Sequence, residues 1–159
     1  MKLFIDSSLF IRFLLDEPGA DEAENILTNI ERNKVTGYTT PMVLEEVIFK
    51  IMYAEASSLL NTKNIWKIRE ALKYDKKIRS KCIEKIKLFN NYIIQLYNNG
   101  LRVVHIDLND YLNAVKFIET HGLLPADAIH AAVAKRLNID TIASFDEDFK
   151  ILKEFRVIP

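Results

Sequence analysis

Four acidic residues stand far apart in this chain, yet each sits where a parallel sheet would collect it. Asp6 ends the apolar run Leu3-Phe4-Ile5 and is followed by Ser7 and Ser8. Asp146 closes Ile142-Ala143-Ser144-Phe145-Asp146. Asp127 falls in Pro125-Ala126-Asp127, the opening turn of a helix, and Glu46, with Glu45 beside it, lies about one turn into another. Open parallel sheets gather their ligands at the carboxyl ends of the strands. Helices that follow such strands begin at the same edge. Clustered carboxylates repel in a partly dry cleft and stay ionised only around a cation. Oxygen donors suit Mg²⁺ or Mn²⁺, and such ions activate a water and clamp a phosphate for in-line attack. Zinc is not indicated: Cys82 is the only cysteine, and His105, His121 and His130 lack ligand spacing.

Taken singly, each acid has an ordinary structural reading. Asp6 serves as a helix cap, Asp127 complements a helix dipole, Asp146 forms a turn, and Glu46 is a solvated helix acid. What these readings leave unexplained is the coincidence at one edge of one inferred sheet.

The elements that must position these acids alternate. Strands are expected at 2–5, 35–38, 101–106, 141–144 and 156–158. Helices are expected at 7–15, 20–32, 41–54, near 63–73, 76–98, 109–120 and 125–137, with a helical turn after Asp146. Periodicity, caps and punctuation carry these assignments: Pro18-Gly19, Thr40-Pro41, Asn99-Gly100 and Pro125. Alternating strands and helices imply right-handed crossovers and an α/β sheet covered on both faces. Residues 55–100 read as a helical insertion on that core, within a single domain spanning 1–159.

Composition bounds the rest. With 49% hydrophobic and 28% charged residues, the 159-residue chain can bury a full core and is not a disordered sequence. A single cysteine suits a reducing compartment. Lys2 before an apolar run resembles a signal peptide only until Asp6 and Arg12 interrupt it. No stretch approaches the ~20 apolar residues of a membrane span. The expectation is a soluble, cytoplasmic protein with no membrane partner.

Four segments together resemble the PIN domain, the PilT N-terminal nuclease family. They are Leu3-Phe4-Ile5-Asp6-Ser7-Ser8, Thr40-Pro41-Met42-Val43-Leu44-Glu45-Glu46-Val47, Asp127-Ala128-Ile129-His130-Ala131-Ala132, and Ser144-Phe145-Asp146-Glu147-Asp148-Phe149. Their order and spacing bracket nearly the whole chain. The resemblance implies a three-layer α/β/α sandwich with a central parallel sheet of about five strands. It implies metal-dependent cleavage of RNA, with Mg²⁺ or Mn²⁺ as cofactor. Many members are toxins of VapBC-type pairs, so an antitoxin protein and a homodimer are implied partners. Position by position, Asp6, Glu46, Asp127 and Asp146 match the family's four acids, and Asp148 an additional one. Glu46 is preferred to Glu45 because the family's acid directly precedes an apolar residue, here Val47. Ser7 and Ser144 match small hydroxyl residues near metal or phosphate, whereas Ser8 stands where many members carry Asn. His130, one turn from Asp127 on a similar face, has two readings: contact with substrate or a metal-bound water, or, the preferred one, packing under the sheet with its ring bonded to a carbonyl.

Formal charge balances at 22 basic and 22 acidic residues, but unevenly. Residues 63–87 hold ten basic and three acidic side chains, a surplus of seven positive charges. Lys73, Lys76 and Lys77 are candidate substrate contacts there, with Trp66 and Tyr74 as stacking platforms for single-stranded RNA. A solvated helix face and a dock for an acidic partner are the competing readings. Cys82 within this segment reads as a buried thiol. Leu9, Phe10, Phe13 and Leu14 read either as a dimer face or as core. The alternative function is a non-catalytic PIN-like module that binds RNA or protein, against which stand all four acids. An aspartyl-phosphate enzyme would need a second acid two residues after Asp6, where Ser8 stands, and a receiver domain would need a differently placed acid pair and lysine.

Overall fold

The computed structural model describes residues 1–159. The strands are β1 (Lys2–Ile5), β2 (Thr36–Thr39), β3 (Leu101–Val103), β4 (Thr141–Ala143) and β5 (Arg156–Ile158). β1 buries Leu3, Phe4 and Ile5 in succession, as a strand covered on both faces must. The sheet runs β3-β2-β1-β4-β5, and every pairing is parallel.

The helices fall into two groups by the direction in which the chain crosses the sheet. α1 (Ser7–Leu14) and α2 (Ala20–Glu31) join β1 to β2. α3 (Pro41–Leu60), α4 (Ile65–Tyr74) and α5 (Lys76–Asn98) carry the chain on to β3. α6 (Leu108–His121) and α7 (Pro125–Arg136) then bring it back past β1 to β4. Right-handed crossovers running in opposite directions put their helices on opposite faces. The result is the three-layer sandwich that the pattern implied. Strand order reverses between β1 and β4, so the crevice for a ligand opens beyond their carboxyl ends. Asp6 directly follows β1, and a short 3₁₀ turn (Glu147–Ile151) after β4 begins beside Asp146.

One core fills the sheet faces and the inward sides of the helices, and a second, smaller one joins Ala56, Ile68 and Cys82 between α3, α4 and α5. That second core explains the main departure from expectation. α3 continues to Leu60 rather than ending near residue 54, because Ala56 is held by partners that arrive from α4 and α5. Asn61, with a left-handed backbone (φ 46°), ends it. β3 stops at Val103 instead of residue 106, because its neighbour β2 offers ladder partners only as far as Thr39. Leu9 and Phe10 belong to the core, and Phe13 and Leu14 are half-buried against it, Phe13 beside Tyr92. Cys82 is buried, and that burial, with Glu55 nearby, raises its thiol pKa. No helix is long and apolar enough to cross a membrane.

Candidate active site

A cleft of about 530 Å³ opens at the carboxyl edge of the sheet, lined among others by Asp6, Glu46, Asp127 and Asp146. Two helices form its walls by simple periodicity. Ser8, Ile11, Arg12 and Leu15 follow one another along α1 and its end, while Glu46, Lys50, Tyr53, Ala54 and Ser57 form one stripe of α3. Glu46 is half-buried in the cleft, whereas Glu45 is exposed and outside it.

Asp6 is the most deeply set of the acids, at 4% exposure. It caps α1, with Oδ2 accepting from the Ser8 amide at 3.2 Å. The same oxygen is bonded by the Ser8 hydroxyl at 2.7 Å and lies 2.8 Å from the Ser144 hydroxyl. The two hydroxyls are 3.0 Å apart, so Ser144 has one proton to share between Asp6 and Ser8. Ser8 Oγ also accepts from the Phe145 amide, and Ser144 Oγ from the Asp146 amide. The ends of β1 and β4 are thereby stitched together through the Asp6 carboxylate. The other oxygen, Oδ1, lies 3.4 Å from Nδ1 of His130. Burial alone would raise the Asp6 pKa, but His130, Ser8 and Ser144 together hold it below the usual carboxylate value.

The expectation that His130 bonds a carbonyl is not met. Both ring nitrogens are buried without a hydrogen-bond partner, and Nδ1 faces the Asp6 carboxylate at 3.4 Å. Helical geometry is the reason: α7 turns this ring toward the strand end, against Phe4, rather than toward a free backbone carbonyl. The far end of α7 is tied down by Arg136, which donates to Asp110 Oδ1 and to the His105 carbonyl, both at 2.8 Å.

Asp127 is half-buried in the first turn of α7. Desolvation, together with the charges of Asp6, Asp146 and Asp148, pushes its pKa up to about 6, although His130 opposes the shift. Asp127, Asp146 and Asp148 each bring a carboxylate oxygen within 4.8 Å of the others. An all-oxygen donor set at that spacing fits a hard divalent cation. Asp146 also caps the 3₁₀ turn, its Oδ1 accepting from the Asp148 amide at 2.9 Å. Capping and clustering coexist on Asp6 and Asp146, so the structural and chemical readings of these acids were never exclusive.

Ser7 lines the cleft, but its hydroxyl makes no hydrogen bond within the chain, and the hydroxyl bonded to Asp6 is that of Ser8. Lys73, Lys76 and Lys77 do not line the cleft. They lie near the junction of α4 and α5, where Lys76 and Lys77 edge a separate groove. The cations in the cleft wall are Arg12, Lys50 and Lys63. Lys50 was legible as the next turn of α3 after Glu46. Lys63 was not, because the chain returns to the cleft only after α3 has ended.

The PIN domain family model matches residues 3–154. Over 158 residues the chain is 30% identical to Ribonuclease VapC2 of Methanocaldococcus jannaschii, covering 99% of this chain and 93% of that protein. Among solved structures, VapC20 of Mycobacterium tuberculosis, a sarcin–ricin loop cleaving toxin, superposes with a TM-score of 0.59 at 16% identity, covering 99% of each chain. A toxin–antitoxin complex from Klebsiella pneumoniae gives 0.61 at 14% identity, over 99% of this chain and 96% of that one. VapBC2 of Rickettsia felis, solved bound to a promoter DNA fragment, gives 0.58 at 15% identity, over 99% and 98%. At such identities the solved structures speak for the fold.

Proposed function

The chain belongs to the PIN-domain family, and from that premise we propose that it is a divalent-metal-dependent endoribonuclease, the toxin half of a toxin–antitoxin pair. The observation that carries this reading is the meeting of Asp6, Glu46, Asp127 and Asp146 in one cleft, with Asp148 completing a close triad around Asp127 and Asp146. The ribonuclease from Methanocaldococcus jannaschii supports the substrate class, and the toxin–antitoxin neighbours support an antitoxin partner. The reading includes one domain over 1–159, with 55–100 as its helical extension, a cytoplasmic location and a homodimer.

Asp127, Asp146 and Asp148 would hold the ion, with Asp6 and Glu46 in the same cleft. Bound Mg²⁺ or Mn²⁺ would supply charge neutralisation at the phosphate and a water of lowered pKa. The chain's own groups do the rest. Glu46 is the acceptor for the proton of an attacking water. Asp6, kept ionised by His130, Ser8 and Ser144, contributes fixed negative charge toward the cation. Arg12, Lys50 and Lys63 offer positive charge to phosphate oxygens along the cleft wall. Ser7, free of internal hydrogen bonds, is the hydroxyl left to meet substrate. Ser144, committed to Asp6 and the Asp146 amide, acts through them.

The test is cleavage of labelled single-stranded RNA with Mn²⁺, with Mg²⁺ and with EDTA, using wild type beside Asp6→Asn and Asp127→Asn. Cutting that requires metal and disappears in both variants is the expected result. Equal cutting by wild type and variants would overturn it.

A further inference from the structure

The α4–α5 projection has no part in the cleft chemistry, yet it carries the most one-sided charge of the molecule. Within residues 63–87, none of Lys63, Lys67, Arg69, Lys73, Lys76 or Lys77 has a carboxylate within ion-pair distance. Trp66 and Tyr74, at 73% and 78% exposure, are the most exposed aromatic residues of the chain. They are not surplus from a missing core, because Ile68 and Cys82 already fill the space beneath with Ala56. Arg69 lies 5.8 Å from the Trp66 ring centre. Tyr74 sits beside Lys67, Lys76 and Lys77 in an open groove. That groove also contains Glu70 and Asp75, but Asp75 is engaged in capping α5 through the Lys77 and Ile78 amides.

This surface begins a few residues along the chain from the cleft wall. Lys63 lines the cleft, and Tyr53, another cleft residue, donates its hydroxyl to the Lys63 carbonyl at 3.0 Å. Asn64 then caps α4. Lys67, in the first turn of α4, shares a face with Ala71 and Tyr74. Ten helical residues extend that track by about 15 Å. An acid-rich cleft repels a phosphodiester strand on approach, so the strand needs cations beside the cleft to hold it. Cations alternating with exposed aromatic rings make the surface of a single-strand binder. Stacking on bases would cover the ring faces while the lysines and Arg69 meet the phosphates, so one ligand satisfies both kinds of group.

Building on the ribonuclease reading, we infer that α4 and α5 form an arm that holds single-stranded RNA beyond the scissile bond. Its target is the flank of the substrate, and its contribution is length-dependent affinity with little base specificity.

The test measures binding of labelled oligouridylate in EDTA, so that no cleavage intervenes. One oligonucleotide is short enough for the cleft alone and the other is several times longer. The variants are Lys67→Glu/Lys76→Glu/Lys77→Glu and Trp66→Ala/Tyr74→Ala, all at exposed positions, with melting curves to establish folding. The charge-reversed variant should bind the long RNA about tenfold or more weakly. Its salt slope should fall by about 0.7 for each phosphate no longer neutralised. The aromatic variant should bind about thirtyfold or more weakly with the slope unchanged. The short RNA should bind all three proteins alike. Unchanged affinity for the long RNA, or equal weakening at both lengths, overturns the arm. So does retained RNA binding with abolished binding of polyglutamate, which would make the surface a protein dock. Metal-dependent cleavage by wild type, measured separately, distinguishes failure of the arm from failure of the ribonuclease reading.

Discussion

Nδ1 of His130 lies 3.4 Å from Oδ1 of Asp6, and both side chains are almost wholly buried. Oδ2 of the same carboxylate carries the Ser8 and Ser144 hydroxyls. The acid at the end of β1 is therefore constrained on both oxygens, with α7 on one side and the β1–β4 seam on the other. A buried carboxylate without such partners would take up a proton.

Replacing His130 with Phe keeps the packing against Phe4 and removes the imidazole. Asp6, with its pKa held low, contributes stability that is present above its unfolded value and lost as pH falls through its folded value. His130→Phe should therefore cost about 1–3 kcal/mol at neutral pH, and the gap from wild type should narrow only as pH falls below the ordinary carboxylate value of 3.8. Thermal unfolding across pH checks this, and a pH-independent gap would show that only packing had changed.

The serines should separate by what they touch. Ser8→Ala and Ser144→Ala each remove a hydrogen bond to the ionised Asp6 Oδ2 and the acceptor of a backbone amide, and should cost about 1.5–3 kcal/mol. Combined, they should cost less than the sum, because both belong to one network. Ser7→Ala should leave the unfolding free energy within error. Denaturant titration of all four variants is the measurement.

Asp127 links metal binding to pH. Its folded pKa of about 6 exceeds the ordinary 3.8, so metal-free stability should decline as pH rises through that interval. A divalent cation must displace the Asp127 proton below pH 6. Mn²⁺ affinity, followed by calorimetry, should climb with pH to about 6 and level off above. Asp146→Asn removes one of the repelling charges and should move that plateau to lower pH, while weakening affinity overall.

Adjacent glutamates should behave differently. Glu46→Gln removes a cleft carboxylate and should reduce metal-dependent cleavage by about a hundredfold or more. Glu45→Gln alters an exposed acid outside the cleft and should cut at the wild-type rate. Similar rates for the two variants would break the assignment of Glu46.

Much of the fold was legible because its signals are local. An apolar run ending in a polar residue marks the first strand and its end at Asp6. Thr40-Pro41 announces a helix start through its own side chains, whereas the caps at Asn64 and Asp75 are seen only in the structure. Alternation of strand and helix implies the parallel sheet, and from it the edge where Asp6, Glu46, Asp127 and Asp146 converge. Where elements depend on distant partners, local signals stop. α3 runs past residue 54 because Ala56 finds Ile68 and Cys82, and β3 is cut short by the length of β2.

By itself, then, the sequence determined the element types and the layer order, since periodicity, caps and strand ends are written in neighbouring residues. Only the tertiary structure decided which atoms meet. It brought Ser8 rather than Ser7 to Asp6, turned His130 toward that carboxylate and returned Lys63 to the cleft wall. Some of these groups are far apart in the chain, Ser144 and Asp6 by 138 positions, and others turn on a single rotation about a helix axis. The packing of the whole core sets both.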